Sequence, residues 1–475
     1  MRICMILEGC YPYVTGGVSS WMHQYIQAMP EHEFVLWVIA SFEKDKGKFK
    51  YKLPDNVVEV HEVFLDSALK LRANKKKVRS FSEEELTALS ELIDGGNPDW
   101  ELLFRMYNEE HINPLSILMS EEFLTILRNL CIERYPYIAF ADMFHTVRSM
   151  LLPLLFLMGQ GVPEADVYHA VATGYGGLLG ALGAYENKKP FILTEHGIYT
   201  REREEEIIRA RWVGPSFKQH WIQFFYMLSS LAYTRAQKVT SLFENAMKIQ
   251  TDIGCDPKKC CVVSNGVHYD RFKDIPPKKK DGWIDIGAIV RMAPIKDIKT
   301  MISAFYELKN RVPNVRLHIL GGVEDEEYAE ECYEMISQLK IKDIIIPGVV
   351  DVVSYMENFD FTILTSISEG QPLSVIESFS AGRPCVTTDV GCCRELLFGN
   401  STDQLGQAGY CCPPMSREEL ADAMERMCVN EEERLHMGRV GKERARRYYQ
   451  HADMMKNYRK VYDEVMSKWQ ESDLN

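Results

Sequence analysis

Residues 365–395 read TSISEGQPLSVIESFSAGRPCVTTDVGCCRE, and this stretch decides the fold. One apolar run, Phe361–Leu364, ends just before it, and a second, Cys385–Thr388, follows a helix-prone segment inside it. A strand, a helix and a strand in this order form a βαβ unit, whose strands lie parallel and bind ligands at their carboxyl ends. The stretch therefore predicts an α/β protein built on a doubly wound, Rossmann-like sheet.

The same alternation continues outward from this stretch in both directions. Further strands predicted around it are Ile284–Ile289, Val315–Leu320 and Ile344–Ile346. The N-terminal half repeats the pattern, with predicted strands at Ile3–Leu7, Phe34–Ile39, Val57–Val63, Val167–Ala170, Phe191–Thr194, Lys238–Ser241 and Cys261–Ser264. Because 475 residues exceed what one core usually supports, we expect two Rossmann-like domains.

The stiff, charged segment Pro276-Pro277-Lys278-Lys279-Lys280 is the predicted hinge between these domains. We therefore expect an N-terminal domain over 1–277 and a C-terminal domain over 278–450. Charged, helix-prone sequence at about 42–130 predicts a helical insertion in the first domain. A final helix at about 451–470 is long enough to return to that domain.

The composition excludes several classes of protein. With 46% hydrophobic and 26% charged residues, the chain resembles soluble globular proteins, and its net charge of -13 argues against nucleic acid as a partner. The 13 cysteines lack paired C-x-x-C spacing, which favours reduced thiols over a zinc site. No signal peptide is visible, and the most apolar run, Leu151–Met158, is shorter than the ~20 residues that span a bilayer. We expect a cytoplasmic protein.

Two glutamates in the opening stretch can face a ligand at the sheet edge. Glu369 follows a strand and Glu377 lies in the next helix, so both carboxylates can accept hydrogen bonds from sugar or ribose hydroxyls. Gly370 permits close backbone approach, and the helix start favours an anion. The plainer alternative is that Glu369 caps the helix and Glu377 forms a surface pair.

Two cations follow the first strand of the C-terminal domain. Arg291 and Lys296 stand on a short loop at a strand's carboxyl end, where arginine and lysine can clamp a diphosphate. The alternative is that both are solvated loop cations.

Taken together, these motifs resemble glycosyltransferase family 4. The similarity rests on SEGQPLSVIE at 368–377, AGRP at 381–384, TDVG at 388–391, the R-x4-K loop and SNGV at 264–267. It implies a GT-B fold, with two domains facing across a cleft, and transfer that retains the anomeric configuration. By this resemblance Arg291 and Lys296 hold the diphosphate, Glu369 binds the donor sugar, Glu377 binds the ribose, and Gly370, Gln371, Pro372 and Leu373 line the donor pocket through backbone groups.

The resemblance also assigns residues in the N-terminal domain. Gly16, Gly17 and Val18 match the family's glycine loop beside the diphosphate, and His196 matches the family's cleft histidine. A lone histidine can equally be a satisfied core residue. Gln371, where the family more often has an aromatic or aliphatic residue, is a departure that we expect to affect the choice of donor sugar.

LEGCYPYVTGGVSSW at 7–21 and Glu369-Gly370-Gln371-Pro372 are similar, more narrowly, to the cytosolic glycosyltransferase subunits of Pel exopolysaccharide systems. That resemblance implies a polysaccharide acceptor and docking on an inner-membrane export complex, for which we expect the helical insertion to provide the contact. The family resemblance implies a UDP-linked donor such as UDP-glucose or UDP-N-acetylglucosamine. No Asp-x-Asp motif is present, so we expect fixed protein cations in place of a metal, and no cofactor. A nucleotide-sugar epimerase and a non-catalytic binding scaffold remain as alternatives.

Overall fold

A computed structural model describes residues 1–72, 80–400 and 402–473 of the chain. The chain forms two compact units. Unit 1 contains Met1–Val262 and Arg459–Asn475, and unit 2 contains Val263–Tyr458. Residues 73–79, which belong to the predicted insertion, lie outside the described ranges.

Unit 1 is built on a parallel sheet. Its strands are β1 (Arg2–Glu8), β2 (Glu33–Ala40), β3 (Val57–Phe64), β4 (Val167–Ala170), β5 (Phe191–Glu195), β6 (Lys238–Ser241) and β7 (Cys260–Val262). They pair in the order β3-β2-β1-β4-β5-β6-β7. The central runs are apolar because parallel strands covered on both faces are buried throughout, as Ile3 and Trp37 are.

The helices of unit 1 follow its strands or form the insertion. They are α1 (Gly17–Gln27), α2 (Glu83–Asp94), α3 (Trp100–Phe104), α4 (Pro114–Leu118), α5 (Glu121–Arg134), α6 (Phe140–Met158), α7 (Gly174–Asn187), α8 (Tyr199–Arg209), α9 (Lys218–Arg235) and α10 (Glu244–Asp252). The predicted insertion, which starts at about residue 42, first contributes β3, and this strand pairs with β2 along its length as part of the sheet. The helical insertion therefore follows β3 and runs through α6, beyond its predicted end near residue 130.

Helix α6 is longer than the apolar run that it contains, Leu151–Met158. It has 19 residues and is, among the described residues, the one helix long and apolar enough to cross a membrane. Its side chains Met143, Val147, Leu154 and Leu157 are buried in the hydrophobic core of unit 1. Pro153 lies within the helix without ending it.

Unit 2 is built on a second parallel sheet. Its strands are β8 (Ile284–Ile289), β9 (Val315–Leu320), β10 (Ile344–Gly348), β11 (Phe361–Leu364), β12 (Cys385–Thr388) and β13 (Gly409–Cys412), in the order β10-β9-β8-β11-β12-β13. Its helices are α11 (Ile298–Arg311), α12 (Glu326–Gln338), α13 (Val352–Tyr355), α14 (Leu373–Ser380), α15 (Cys393–Phe398), α16 (Arg417–Val429), α17 (Glu431–Tyr448) and α18 (His451–Asp473). The short edge strand β13 carries too weak a pattern to predict. The two sheets confirm the expected α/β fold of two Rossmann-like domains.

The boundary between the units lies earlier than the predicted hinge. The units divide after Val262, whereas the sequence suggested a hinge at 276–280. This segment is attached to unit 2, because Arg383 donates to the carbonyl of Pro276 at 2.5 Å and Lys278 pairs with Asp285 at 2.8 Å. Helix α18 begins in unit 2 and ends in unit 1, and unit 2 keeps its residues up to Tyr458.

Candidate functional site

The candidate site of unit 2 lies where two neighbouring strands end. Strands β8 and β11 are adjacent in the sheet, so the loops after them lie side by side at its carboxyl edge. The Ile367 N–H donates to the carbonyl of Ile295 at 2.9 Å, and the Thr365 hydroxyl donates to the carbonyl of Lys296 at 2.9 Å. These hydrogen bonds fix the two loops that carry the predicted site residues.

Lys296 and Glu369 meet across these loops. The Lys296 Nζ lies 2.5 Å from the Glu369 Oε1, and the Ser366 hydroxyl donates to the same oxygen at 2.6 Å. Only 16% of the Lys296 side chain and 13% of the Glu369 side chain are exposed. The structure thus brings together the cation and the carboxylate that the sequence singled out.

Arg291 has a different partner. Its guanidinium pairs with the Glu324 carboxylate, and 45% of its side chain is exposed. This pairing follows from the backbone, because a bridge between Met292 and Val323 puts the ends of β8 and β9 side by side. We expected Arg291 to share a pocket with Lys296 and Glu369, but its ion pair is with the neighbouring loop.

The loop Glu369–Leu373 is held tightly against the β12–α15 turn. The Cys392 N–H donates to the carbonyl of Gly370 at 3.0 Å. At Gly391, with φ +54°, a Cβ atom would lie 2.2 Å from the carbonyl oxygen of Glu369, so this close approach requires glycine. The loop ends where α14 begins, because Leu373 is the first residue of that helix and Pro372 immediately precedes it.

Gln371 makes a contact that the sequence did not predict. Its Oε1 accepts a hydrogen bond from the backbone N–H of Asn265 at 2.6 Å, and both side chains are buried. The side chain that we expected to influence the choice of sugar is therefore engaged with the protein. Asn265 belongs to the SNGV motif, and only the folded chain shows that the two motifs are in contact.

Glu377 lies in α14 and has an altered acidity. Burial raises the pKa of Glu377 to about 7, and the positive charge of Arg271 partly opposes this effect. The alternative for Glu369 is wrong, because α14 has no side-chain cap and Glu369 instead contacts Lys296 and Ser366. Glu377 is half-buried, and the charge that acts on it, Arg271, lies outside its own helix.

In unit 1 the glycine loop leads into a helix. Gly16 immediately precedes α1, and Gly17 is its first residue, followed by Val18. A Cβ atom at Gly17 would meet nothing within 4 Å, so the protein itself leaves open space beside this backbone. The structure places these three residues at the start of the helix that follows β1.

His196 directly follows β5 and is not a satisfied core residue. Its ring lies edge-on to Trp21, with the centroids 4.4 Å apart. Among the described residues its buried Nε2 has no hydrogen-bond partner, and burial lowers the pKa of His196 to about 4. The imidazole is therefore neutral at pH 7 and carries one uncommitted nitrogen.

Two carboxylates, the buried Glu195 and the half-buried Glu8, accompany His196 at this edge. The Glu195 Oε2 accepts hydrogen bonds from the Tyr233 hydroxyl at 2.7 Å and from the Gln250 amide at 2.8 Å, and burial raises the pKa of Glu195 to about 7. Glu8, at the end of β1, accepts from the Gly176 N–H at 3.0 Å, and burial raises its pKa as well. Sequence reasoning missed Glu8, although an acidic residue closing an apolar strand was a usable signal.

Metal ligands do not cluster in the described part of the chain. Over residues 1–72, 80–400 and 402–473, no group of three or more His, Cys, Asp or Glu side chains could hold a metal ion.

Comparisons with known families cover both units. Residues 1–258 match the family described as Domain of unknown function (DUF3492), and residues 270–444 match Glycosyl transferases group 1. Among characterised relatives, the MMP alpha-(1->4)-mannosyltransferase of Mycolicibacterium hassiacum is 23% identical over 59% of this chain and 66% of that enzyme. The capsular polysaccharide biosynthesis glycosyltransferase CapM of Staphylococcus aureus is 22% identical over 64% of this chain and 77% of that protein.

A solved structure supports the fold over nearly the whole chain. The chain is similar to Anabaena Alr3699/HepE, solved in complex with UDP, with a TM-score of 0.62 and 13% identity. The match covers 98% of this chain and 100% of that one. At this identity the similarity shows the fold alone, which is that of a GT-B glycosyltransferase.

Proposed function

Since this chain belongs to the DUF3492 family and is a glycosyltransferase of group 1, we propose that it transfers a hexose or N-acetylhexosamine from a UDP-sugar to a growing polysaccharide. The observation that carries the proposal is the contact between Lys296 and Glu369 at the carboxyl edge of the second sheet. A cation and a carboxylate side by side suit a ligand that has both phosphates and hydroxyls.

We assign the donor to unit 2 and the polysaccharide acceptor to unit 1. Lys296 and Arg291 bind the diphosphate, Glu369 the donor sugar, Glu377 the ribose, and Gly370 to Leu373 line the pocket. HepE, of the same fold, was solved with UDP, which supports a uridine nucleotide, and UDP-glucose and UDP-N-acetylglucosamine are the donors we propose. The relative CapM, named for capsular polysaccharide biosynthesis, supports a polysaccharide acceptor.

The proposed reaction retains the anomeric configuration. The bond between the anomeric carbon and the β-phosphate oxygen breaks, and a bond from that carbon to an acceptor hydroxyl oxygen forms on the same face. The proton of the acceptor passes to the departing phosphate oxygen. The M. hassiacum relative is named for an alpha linkage, and an α-linked product from an α-linked nucleotide sugar is the outcome of retention.

Protein charges stabilise the leaving group in this proposal, without a metal ion. Lys296, Arg291 and the amino end of α14 oppose the charge that develops on the diphosphate. In unit 1 we propose His196, through its uncommitted Nε2, as a catalytic residue, and Gly16, Gly17 and Val18 as donor-binding residues.

A donor panel tests the proposal directly. Nucleoside diphosphate release is measured from UDP-glucose, UDP-N-acetylglucosamine and their GDP counterparts, with and without an oligosaccharide acceptor and with and without EDTA. We expect UDP release that rises with acceptor and is unaffected by EDTA. Formation of an epimer from donor alone would identify the epimerase, and donor binding without turnover would identify the scaffold. An inverted product or loss of activity in EDTA would overturn the corresponding part of the mechanism.

We also propose a cytoplasmic protein of a Pel-type system that docks on an inner-membrane export complex through the helical insertion. The insertion exposes apolar side chains at its surface, namely Met119, Ile132 and Tyr137, the last of them 99% exposed. Replacing Ile132 and Tyr137 by serine should release the protein from membrane fractions of the producing cell while leaving UDP release in solution unchanged. Unchanged membrane association would contradict the docking site.

A further inference from the structure

The hydrogen bond between Gln371 and Asn265 joins the donor loop to the chain that enters unit 2. Asn265 is the third residue of unit 2, which begins at Val263. The Gln371 side chain is 7% exposed and Asn265 is 6% exposed, so water cannot easily replace this bond. The bond therefore connects the proposed donor loop, Glu369–Pro372, to an entering segment, Val263–Val267.

The entering segment is hydrogen-bonded to the segment by which the chain leaves unit 2. The Val267 N–H donates to the carbonyl of Tyr449 at 2.9 Å, and the His451 N–H donates to the carbonyl of Val267 at 3.0 Å. A Cβ atom at Gly266 would lie 2.3 Å from the carbonyl oxygen of Gln450, so only glycine permits this approach. Both chain connections of unit 2 thus form one hydrogen-bonded structure.

The donor loop is also held by two contacts away from Asn265. The Glu369 carboxylate contacts Lys296, and the Gly370 carbonyl accepts from the Cys392 N–H. Gln371 lies between these anchors and α14, and its amide oxygen is the side-chain acceptor that reaches Asn265. An aliphatic residue at this position would fill the space but would leave the buried Asn265 N–H without an acceptor.

We propose that Gln371 is a positioning residue that couples donor binding to the two chain connections of unit 2. This inference rests on the proposed function of the donor loop. When a UDP-sugar orders Glu369–Pro372, the Gln371 amide transmits that order to Val263–Val267 and from there to Tyr449–His451. Gln371 itself supplies no atom to the reaction, and its side chain acts through Asn265.

Two variants of equal length separate this role from simple packing. Gln371→Met keeps the volume and removes the amide acceptor, whereas Gln371→Glu keeps an oxygen that can accept from Asn265. Amide hydrogen exchange of 263–268 and 448–452 is measured by mass spectrometry with and without UDP. In the wild type and in Gln371→Glu we expect UDP to slow exchange of both segments several-fold, and in Gln371→Met we expect no slowing although UDP still binds.

Kinetics provide the second measurement. Gln371→Met should lower kcat for donor consumption by about tenfold with less than a threefold change in the donor KM, and Gln371→Glu should recover most of kcat. Equal UDP-induced slowing in Gln371→Met and wild type would overturn the coupling. If Gln371→Met does not fold, Gln371→Asn, which shortens the reach by one methylene, takes its place.

The outcome also separates this inference from the proposed function. A wild-type protein that binds UDP but consumes no UDP-sugar would contradict the transferase, whereas the exchange experiment would still test the coupling. If the protein consumes UDP-sugar but UDP leaves amide hydrogen exchange unchanged in every variant, only the coupling is contradicted.

Discussion

The carboxyl edges of the two sheets present opposite kinds of chemistry. In unit 2, Lys296 and Glu369 are in ionic contact and partly open to solvent. In unit 1, burial favours the neutral forms of His196 and Glu195, by lowering the pKa of one to about 4 and raising that of the other to about 7. An edge with fixed charges suits a diphosphate, and an edge of buried, nearly neutral groups suits an uncharged hydroxylated ligand. The residues that end the strands therefore give the same fold element two different chemistries.

Removing the cation of unit 2 should have the largest effect. We expect Lys296→Ala to lower kcat/KM for donor consumption by about a hundredfold or more, because a preorganised charge at the leaving group is lost. The matched control is Lys299→Ala, whose exposed ammonium pairs with Glu331 on a neighbouring helix. Equal losses in the two variants, measured by UDP release, would remove the basis for a charged site.

Burial of Glu195 in unit 1 should make the free energy of unfolding depend on pH. Because burial raises the pKa of Glu195 from 4.5 to about 7, the folded chain retains a proton that the unfolded chain loses first. The stability from this group is therefore complete below pH 4.5 and is lost as the pH rises to about 7. We expect Glu195→Gln to remove roughly 3 kcal/mol of this decline in the free energy of unfolding, measured by urea denaturation at several pH values. An unchanged pH dependence would mean that Glu195 ionises as it does in water.

Glu377 should make donor binding pH-dependent. Its carboxylate accepts hydrogen bonds well only when ionised, and burial raises its pKa to about 7, so the donor KM should fall as the pH rises through about 7. Glu377→Gln should raise the KM about tenfold at pH 8 and flatten this profile. Glu357→Gln, at an exposed position of unit 2, is the control. A KM profile that survives Glu377→Gln would assign the titration to another group.

The exposed ion pair of Arg291 should have the smallest effect. A diphosphate must compete with Glu324 for this guanidinium, but exposed ion pairs contribute little. We expect Glu324→Gln to lower the donor KM by about twofold to threefold, measured at low ionic strength, and the gain to disappear in high salt. A higher KM in Glu324→Gln would show that Glu324 orients Arg291 for the donor and does not compete with it.

Most of the strands could be predicted because parallel strands buried on both faces must be apolar. The runs at 167–170 and 361–364 coincide with β4 and β11, whereas the short edge strand Gly409–Cys412 has no such signal. The predicted hinge at 276–280 was misplaced for a related reason. Lysines beside prolines are typical of linkers, but Lys278 is paired with Asp285, and no local pattern shows that this aspartate of β8 is buried.

By itself, the sequence determined that two parallel sheets would form and which residues would end their strands, because local apolar runs and the residues that follow them record both. Only the tertiary structure decided which of those residues meet. The adjacency of β8 and β11 brings Lys296 to Glu369, and the pairing of β8 with β9 turns Arg291 toward Glu324. Strand order is a property of the whole sheet, set by how distant segments pack, so no local pattern could specify these contacts or the bond from Asn265 to Gln371.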